Sequence, residues 1–461
     1  MSEPRSTRLA VGVIALADFG STYTKVRLVD SAEGKLLARA EAPTSIDTDL
    51  MDGYASALEM AKAAAGTTAI DDQLAVSSAG GGLRVAAVGL VEDLTAAAAR
   101  QAALNAGARV ETVLAGSLSE KQLDELQAGR PEILLFAGGT DGGQAELVLE
   151  NARRLAARRI GGNAIVACNA EVAAETASVL REAGSVVEVA ANVMPELGRL
   201  EIESAREAIL RAFLAHVIGG KGLSASREFQ QMVKLPTPEA VLEATQLLGD
   251  VVVVDIGGAT TDIHSNRTSA LATPGIADPL LPPPLTLRTV EGDLGMRSGA
   301  AGVLAADRRW IEAEARGGEA AVRQSVSLRG GNPKWLPEVE EDLLFDQRLA
   351  VGCATHALTR HCGTMLLRRG EGGPPTLVRS GPDLREMDLI IGTGGVFAHR
   401  TDGEGILAEA LRRKAPRSLA PRDPRIGIDR NYILAAAGLL ATQDRDAALR
   451  LLDRELKPAG H

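Results

Sequence analysis

Short apolar runs recur along this chain, and several break into glycine-rich turns. Val11 to Ala17 ends at Asp18 and Phe19-Gly20-Ser21, and Val251 to Val254 ends at Asp255 and Ile256-Gly257-Gly258. Apolar runs of this length bounded by turn residues read as buried strands. Both stretches are therefore expected to be strand, turn, strand, with residues 35–40 adding a third strand to the first. From Tyr54 to Ala65, Ala, Leu and Met fall at helical spacing until Gly66, which predicts an amphipathic helix. Leu74 to Leu90 gives two apolar runs split by Gly80-Gly81-Gly82. Ordinary turn chemistry makes that triplet a hairpin first and a close approach to a ligand second.

From 91 to 190 the pattern alternates: helices at 95–106, 118–128, 144–158 and 171–183, strands near 110–114, 132–137, 164–168 and 185–190. Such alternation predicts a doubly wound parallel sheet. The loop AGGTDGG, 137–143, leaves one of its strands at the carboxyl end, where open sheets of this kind place ligands; a plain tight turn is the alternative. Residues 192–250 are expected to be a mostly helical insertion, 271–287 an exposed proline-rich loop, and 300–370 helical and charged. A last α/β portion carries IIGTGGVF at 390–397 and the apolar DRNYILAAAGLLA at 429–441. The expected division is a first lobe over 1–191, the insertion over 192–250 and a second lobe over 251–461.

Composition narrows the function classes. A chain of 461 residues with 45% hydrophobic positions can bury a large core in two or more domains. Aromatics at 2% argue against base-stacking surfaces, and 60 acidic against 50 basic residues disfavour nonspecific nucleic-acid or anionic-membrane binding. Cys168, Cys353 and Cys362 are odd in number and lack CxxC spacing, so they read as buried thiols. His356 and His361, five residues apart, diverge around a helix and do not suggest a metal pair. No run reaches the ~18 apolar residues of a membrane span, and the N-terminal run is interrupted by Asp18 with no cleavage site after it. A cytoplasmic location is expected.

The two glycine turns carry the candidate chemistry. Each delivers a carboxylate and then small residues whose N–H groups can approach an anion. One such turn is ordinary; two that face each other can clamp one nucleotide. Asp18 and Asp255 would then hold a hydrated Mg²⁺, a hard cation that takes one or two carboxylates plus phosphate oxygens and water. The candidate phosphate contacts are Gly20, Ser21, Thr22 and Lys25 on the first turn and Gly257, Gly258, Ala259, Thr260 and Thr261 on the second.

The order of these blocks resembles the actin-like ATPases, the α/β superfamily of actin, hexokinase and the heat-shock chaperones. There two phosphate hairpins precede a late glycine-rich adenosine loop, here Gly392, Thr393, Gly394 and Gly395. The wider set is similar to the glutamate mutase accessory family, GlmL or MutL, unrelated to the mismatch-repair protein of the latter name. It comprises DFGSTYTKVRLVD (18–30), SSAGGGLRVAAVGL (77–90), AGGTDGG, DIGGATTDIHS (255–265), EGDLGMRSGA (291–300) and DLIIGTGGVFAH (388–399). The resemblance implies two lobes around a nucleotide cleft, slow Mg²⁺-dependent ATP hydrolysis, and an accessory role toward an adenosylcobalamin-dependent mutase from which damaged cobalamin must be released. In the superfamily the helix linking the halves can place an acid near the γ-phosphate. CNAEVAAETA, 168–177, is similar in part and makes Glu171 the catalytic candidate beside Asp18 and Asp255; a first-turn acid favoured by the helix dipole is the alternative. A small-molecule kinase or ATP-dependent hydantoinase stays open as the rival function. A kinase would need an aspartate base, for which Asp141, Asp262 and Asp293 are eligible.

Overall fold

The computed structural model describes residues 12–79, 83–160, 162–215, 223–224, 226–269, 281–313, 318–368 and 376–456. β1 (Val13–Phe19), β2 (Tyr23–Asp30) and β3 (Lys35–Pro43) form an antiparallel meander, and β4 (Asp72–Ser77) pairs with β1 in parallel. The intervening helix, Leu50–Ala65, starts where the Asp49 carboxylate accepts the Met51 N–H and stops at Gly66, whose φ of 67° a side chain would strain.

The chain then leaves this sheet to build another. β5 (Arg84–Val88), β6 (Arg109–Leu114), β7 (Ile133–Gly138), β8 (Asn163–Cys168) and β9 (Val186–Val189) are all parallel, in the order β6-β5-β7-β8-β9, with helices between them as the alternation predicts. The glycine triplet 80–82 lies outside the described residues. Residues 192–250 then prove to be more than a helical insertion. They do contain helices Glu203–Phe213 and Arg227–Met232, but β10 (Val233–Pro236) pairs in parallel with β4 and completes the first sheet. As an edge strand it tolerates Pro236, and four residues with a proline leave no strand signal to read. The helix Thr237–Leu248 follows directly.

The other half repeats the plan. β11 (Val251–Ile256), β12 (Thr261–Asn266) and β13 (Thr286–Glu291) form a second antiparallel meander. After several helices, the longest Glu340–His361, and a hairpin of β14 (Thr364–Arg368) and β15 (Thr376–Ser380), the chain adds β16 (Leu389–Thr393) and β17 (Arg425–Ile428) in parallel beside β11. The orders β3-β2-β1-β4-β10 and β13-β12-β11-β16-β17 are the same order written twice. This is the actin-like ATPase fold, with the parallel sheet inserted between the fourth and fifth strands of its first half.

The halves meet through the helices Thr237–Leu248 and Ile433–Ala441, whose apolar faces share a core with Ile14, Leu16, Val251 and Val253. A Cβ on Gly438 would overlap the carbonyl oxygen of Ala240, so the two backbones touch there. The inserted sheet is tied to the second half by Arg288, a buried side chain of β13. Arg288 pairs with Asp262 at 2.6 Å and donates to the carbonyls of Leu104 and Ala108 at 2.7 and 3.1 Å. Those carbonyls precede β6, so the amino ends of the inserted strands face the second half and their carboxyl ends point away. Among the described residues no helix is long and apolar enough to cross a membrane.

Candidate functional site

The first turn is built around a carboxylate already matched by the protein. Lys25, opposite Asp18 in the β1–β2 register, brings its ammonium 3.4 Å from Asp18 Oδ2 and 4.1 Å from the centre of the Tyr432 ring, which belongs to the other half. Thr237 Oγ1, at the first turn of the helix that leads into the second half, donates to Asp18 Oδ1 at 2.7 Å. Gly20 spends its N–H on the carbonyls of Asp18 and Tyr23, and Thr44 Oγ1 donates to its carbonyl at 2.9 Å. Gly20 therefore shapes the turn and has no N–H to offer a phosphate. Ser21 and Thr22, exposed at the tip, donate from their N–H groups to no described backbone acceptor.

The second turn is held from behind. Gly257 N–H closes on Thr260 O at 2.9 Å, and the segment 291–300 wraps the turn: Met296 N–H donates to Gly257 O at 3.0 Å and Arg297 N–H to Gly258 O at 2.7 Å. At Gly295 a Cβ would press on the Ala259 and Gly258 carbonyls at 2.7 Å, which accounts for the glycine in that block. Thr261, expected among the phosphate contacts, is buried and donates its hydroxyl to Leu294 O at 2.9 Å. Its hydroxyl locks the wrapping segment instead. Gly258 and Ala259 stay exposed at the tip, with Thr260 half-buried beside them.

Asp255 lies at the junction of these parts. Burial pushes its carboxyl up to about 7, the negative charges of Asp262, Asp18 and Asp429 add to the rise, and Lys25 opposes it. Asp18 and Lys25 belong to the first half, so the two turns share one electrostatic site. A half-buried carboxyl among three other carboxylates is a group that a bound divalent cation would relieve, and two carboxylates are what Mg²⁺ takes when phosphate and water complete its shell. The donor set fits Mg²⁺, and among the described residues no cluster of three or more His, Cys, Asp or Glu offers a dedicated cage.

The late glycine loop differs from expectation in its reasons. Gly394 has φ of 100°, and a Cβ would collide with Ile256 O and come within 2.9 Å of Asp255 Oδ1. The protein's own backbone therefore already requires a glycine here. At Gly392 a Cβ would lie 2.7 Å from the Phe397 ring. Thr393 is buried and donates to Asp429 Oδ2 at 3.1 Å; Asp429, itself buried, accepts the N–H groups of Ile433 and Leu434. Gly395 alone of the four has room in front of it, its nearest neighbour there being the Tyr432 hydroxyl at 3.8 Å.

Glu171 is not brought to this site. It follows β8 at the carboxyl end of the inserted sheet, where its N–H donates to Asn169 Oδ1 at 3.0 Å. The amino ends of that sheet face the second half, and a six-residue strand at ~3.3 Å per residue sets the opposite end roughly 20 Å away. The helix that links the halves is Thr237–Leu248, so the residue at the expected position is Thr237. A Thr-Pro-Glu run opening an apolar helix is a start signal that the sequence does contain. The aspartates eligible as a kinase base are all engaged: Asp262 by Arg288, Asp293 by Arg360, and Asp141 by the Ala170 N–H and Asn192.

The profile of the MutL protein family matches residues 14–456. The chain belongs to the MutL protein family. Protein MutL of Clostridium tetanomorphum is 38% identical over 457 residues, covering 96% of this chain and 98% of the relative. Among solved structures a glycerol dehydratase reactivase overlaps 93% of this chain and 99% of its own at 11% identity, TM-score 0.36. Component A of (R)-2-hydroxyglutaryl-CoA dehydratase from Acidaminococcus fermentans overlaps 95% and 99% at 10% identity, TM-score 0.32. Likeness that distant carries no weight about activity, whereas the MutL match spans almost the whole chain and agrees with the motif blocks.

Proposed function

We propose that this protein is an ATP-dependent accessory factor that restores an adenosylcobalamin-dependent mutase, first of all glutamate (methylaspartate) mutase, by promoting release of damaged cobalamin. The observation that carries the nucleotide reading is the shared site of Asp18 and Asp255, one carboxylate from each half of a duplicated fold. Asp18 and Asp255 would hold Mg²⁺, whose charge would offset that of the phosphates. Ser21, Thr22, Gly258, Ala259 and Thr260 would contact the phosphates from the two tips, and Gly395 would lie against the adenosine. Thr237, bonded to Asp18 at the start of the linking helix, would orient a water. Contacts from both halves favour a closed arrangement, and loss of the γ-phosphate withdraws that preference. Family membership supports the client, and the engagement of Asp141, Asp262 and Asp293 speaks against a free phosphoryl-acceptor base.

The deciding experiment mixes mutase carrying hydroxocobalamin with this protein, ATP, Mg²⁺ and fresh adenosylcobalamin, and follows cobalamin release and turnover. Both should recover with ATP and fail with a non-hydrolysable analogue. Phosphorylation or ring-opening of a small molecule, with no binding to the mutase, would replace this reading with the enzyme alternative.

A further inference from the structure

The helix Glu340–His361 buries most of its later turns in the second half, but its start and the segment before it turn apolar side chains outward. Leu336 is 64% exposed, Val339 58% and Leu344 50%. Single exposed apolar residues are ordinary, whereas several within nine positions form a patch that asks for a partner. Glu338, Glu340 and Glu341 are exposed between them. The helix dipole accounts for acids in a first turn and leaves the exposed leucines and valine unexplained.

The backbone under this patch is held by the two loops that flank the proposed nucleotide in the second half. Arg297, whose N–H holds Gly258 O, donates from Nε to Trp335 O at 3.1 Å and from Nη2 to Asp346 Oδ2 at 3.1 Å. Arg400, just beyond the short helix that starts at Gly395, donates from Nη1 to Leu343 O at 3.0 Å. Beneath them the fully buried Arg329 bonds Asp346 Oδ1 at 2.7 Å and Asp342 O at 3.1 Å, its guanidinium 4.7 Å from the Trp335 ring. One arginine from the segment that wraps the second turn and one from just beyond the late glycine loop thus reach the carbonyl that precedes the patch and a carbonyl near its end.

Resting on the function proposed above, we infer that residues 336–344 are the docking surface for the client protein, and that the nucleotide sets its affinity through Arg297 and Arg400. The occupant is a protein face with an apolar centre bordered by Lys or Arg. Its charge follows from the acidic residues interleaved with the apolar ones, on a chain whose net charge is −10. A shift of Gly258 or Gly395 on nucleotide binding is passed through a single arginine side chain to the backbone of the patch, so the two states present the same side chains in different relative positions.

Two measurements on the full chain test this. In a Trp310→Phe background, Trp335 emission should change between Mg·ATP and Mg·ADP. The Leu336→Ser/Leu344→Ser double variant should bind the mutase at least tenfold more weakly while its Mg·ATP affinity and hydrolysis stay within twofold. Unchanged emission at saturating Mg·ATP, with binding seen by calorimetry, overturns the coupling. Unchanged mutase affinity in the double variant overturns the surface, as would loss in that variant of a dimer seen by sedimentation, which would make the occupant a second copy of this chain. Absence of mutase binding by the unaltered chain removes the function reading itself, and the unaltered arm tells that failure apart from the others.

Discussion

The two glycine turns are copies in topology and opposites in support. The first lies open: Ser21 and Thr22 are exposed, and its carboxylate already has Lys25 and Thr237 as partners. The second is wrapped by 291–300 and backed by Gly394, and its carboxylate, pushed up to about 7, has carboxylates for neighbours. A duplicated fold has thus divided one task. The first turn is open and carries its own countercharge, whereas the second is held from behind and has no cation of its own, only Lys25 acting from the first half.

The sharpest test of that division is metal-dependent hydrolysis. Asp255→Asn should lower the Mg²⁺-dependent ATPase rate about 100-fold, near 2.7 kcal/mol of barrier, and Asp18→Asn about tenfold, because Lys25 and Thr237 remain to hold the first turn. Equal losses in steady-state assays would break the comparison, and no loss in either would remove the site assignment.

Rigidity predicts the next effect. Gly394→Ala should destabilise the fold by about 2 kcal/mol in urea titration, since a left-handed backbone and a blocked Cβ add up. Ser21→Ala on the open turn should change it by less than about 0.5 kcal/mol. If Gly394→Ala folded normally and lost only ATP affinity, the loop would be shaped for the nucleotide after all.

The missing cation predicts a pH effect. The folded carboxyl of Asp255 stands above its ordinary value of 3.8, so the folded state holds a proton that the unfolded chain has lost between about 4 and 7. Stability from this group is therefore lost as pH rises through that window. Without nucleotide, Asp255→Asn should melt on the order of 2 °C above the unaltered protein at pH 8, with the gap closing toward pH 5. Mg·ATP, which needs the carboxylate, should bind about tenfold tighter at pH 8 than at pH 6 in the unaltered protein; calorimetry on Asp255→Asn should give a flat profile. The smallest effect falls on the first turn's helper: Thr237→Ala removes one hydrogen bond to a charge and should slow hydrolysis about fivefold without moving the Mg·ATP affinity.

What the sequence showed and hid follows from range. The strand-and-turn pairs at Asp18 and Asp255, and the alternation that builds β5 to β9, are local patterns and read correctly from neighbours. β10 was invisible because four residues ending in Pro236 become a strand only when β4 is beside them. Glu171 looked like the linking-helix acid because CNAEVAAETA opens a helix after a strand; which sheet that strand joins is settled by β10 returning to β4, more than sixty residues later. Thr261 and Thr393 have the composition of phosphate donors, but their hydroxyls are spent on Leu294 and Asp429, partners that only the tertiary structure brings within reach.

Gly438 has one more consequence. With no side chain between Gly438 and the Ala240 carbonyl, the linking helices touch backbone to backbone at this one place in a seam otherwise padded by apolar side chains. A backbone contact fixes the spacing of the two helices there, so a rotation of one half on the other would turn about it, with displacement growing with distance from it. Under the proposed nucleotide cycle the residues farthest from Gly438 would gain the most leverage, and a bulky side chain at this single glycine would take that leverage away by turning a pivot into a wedge.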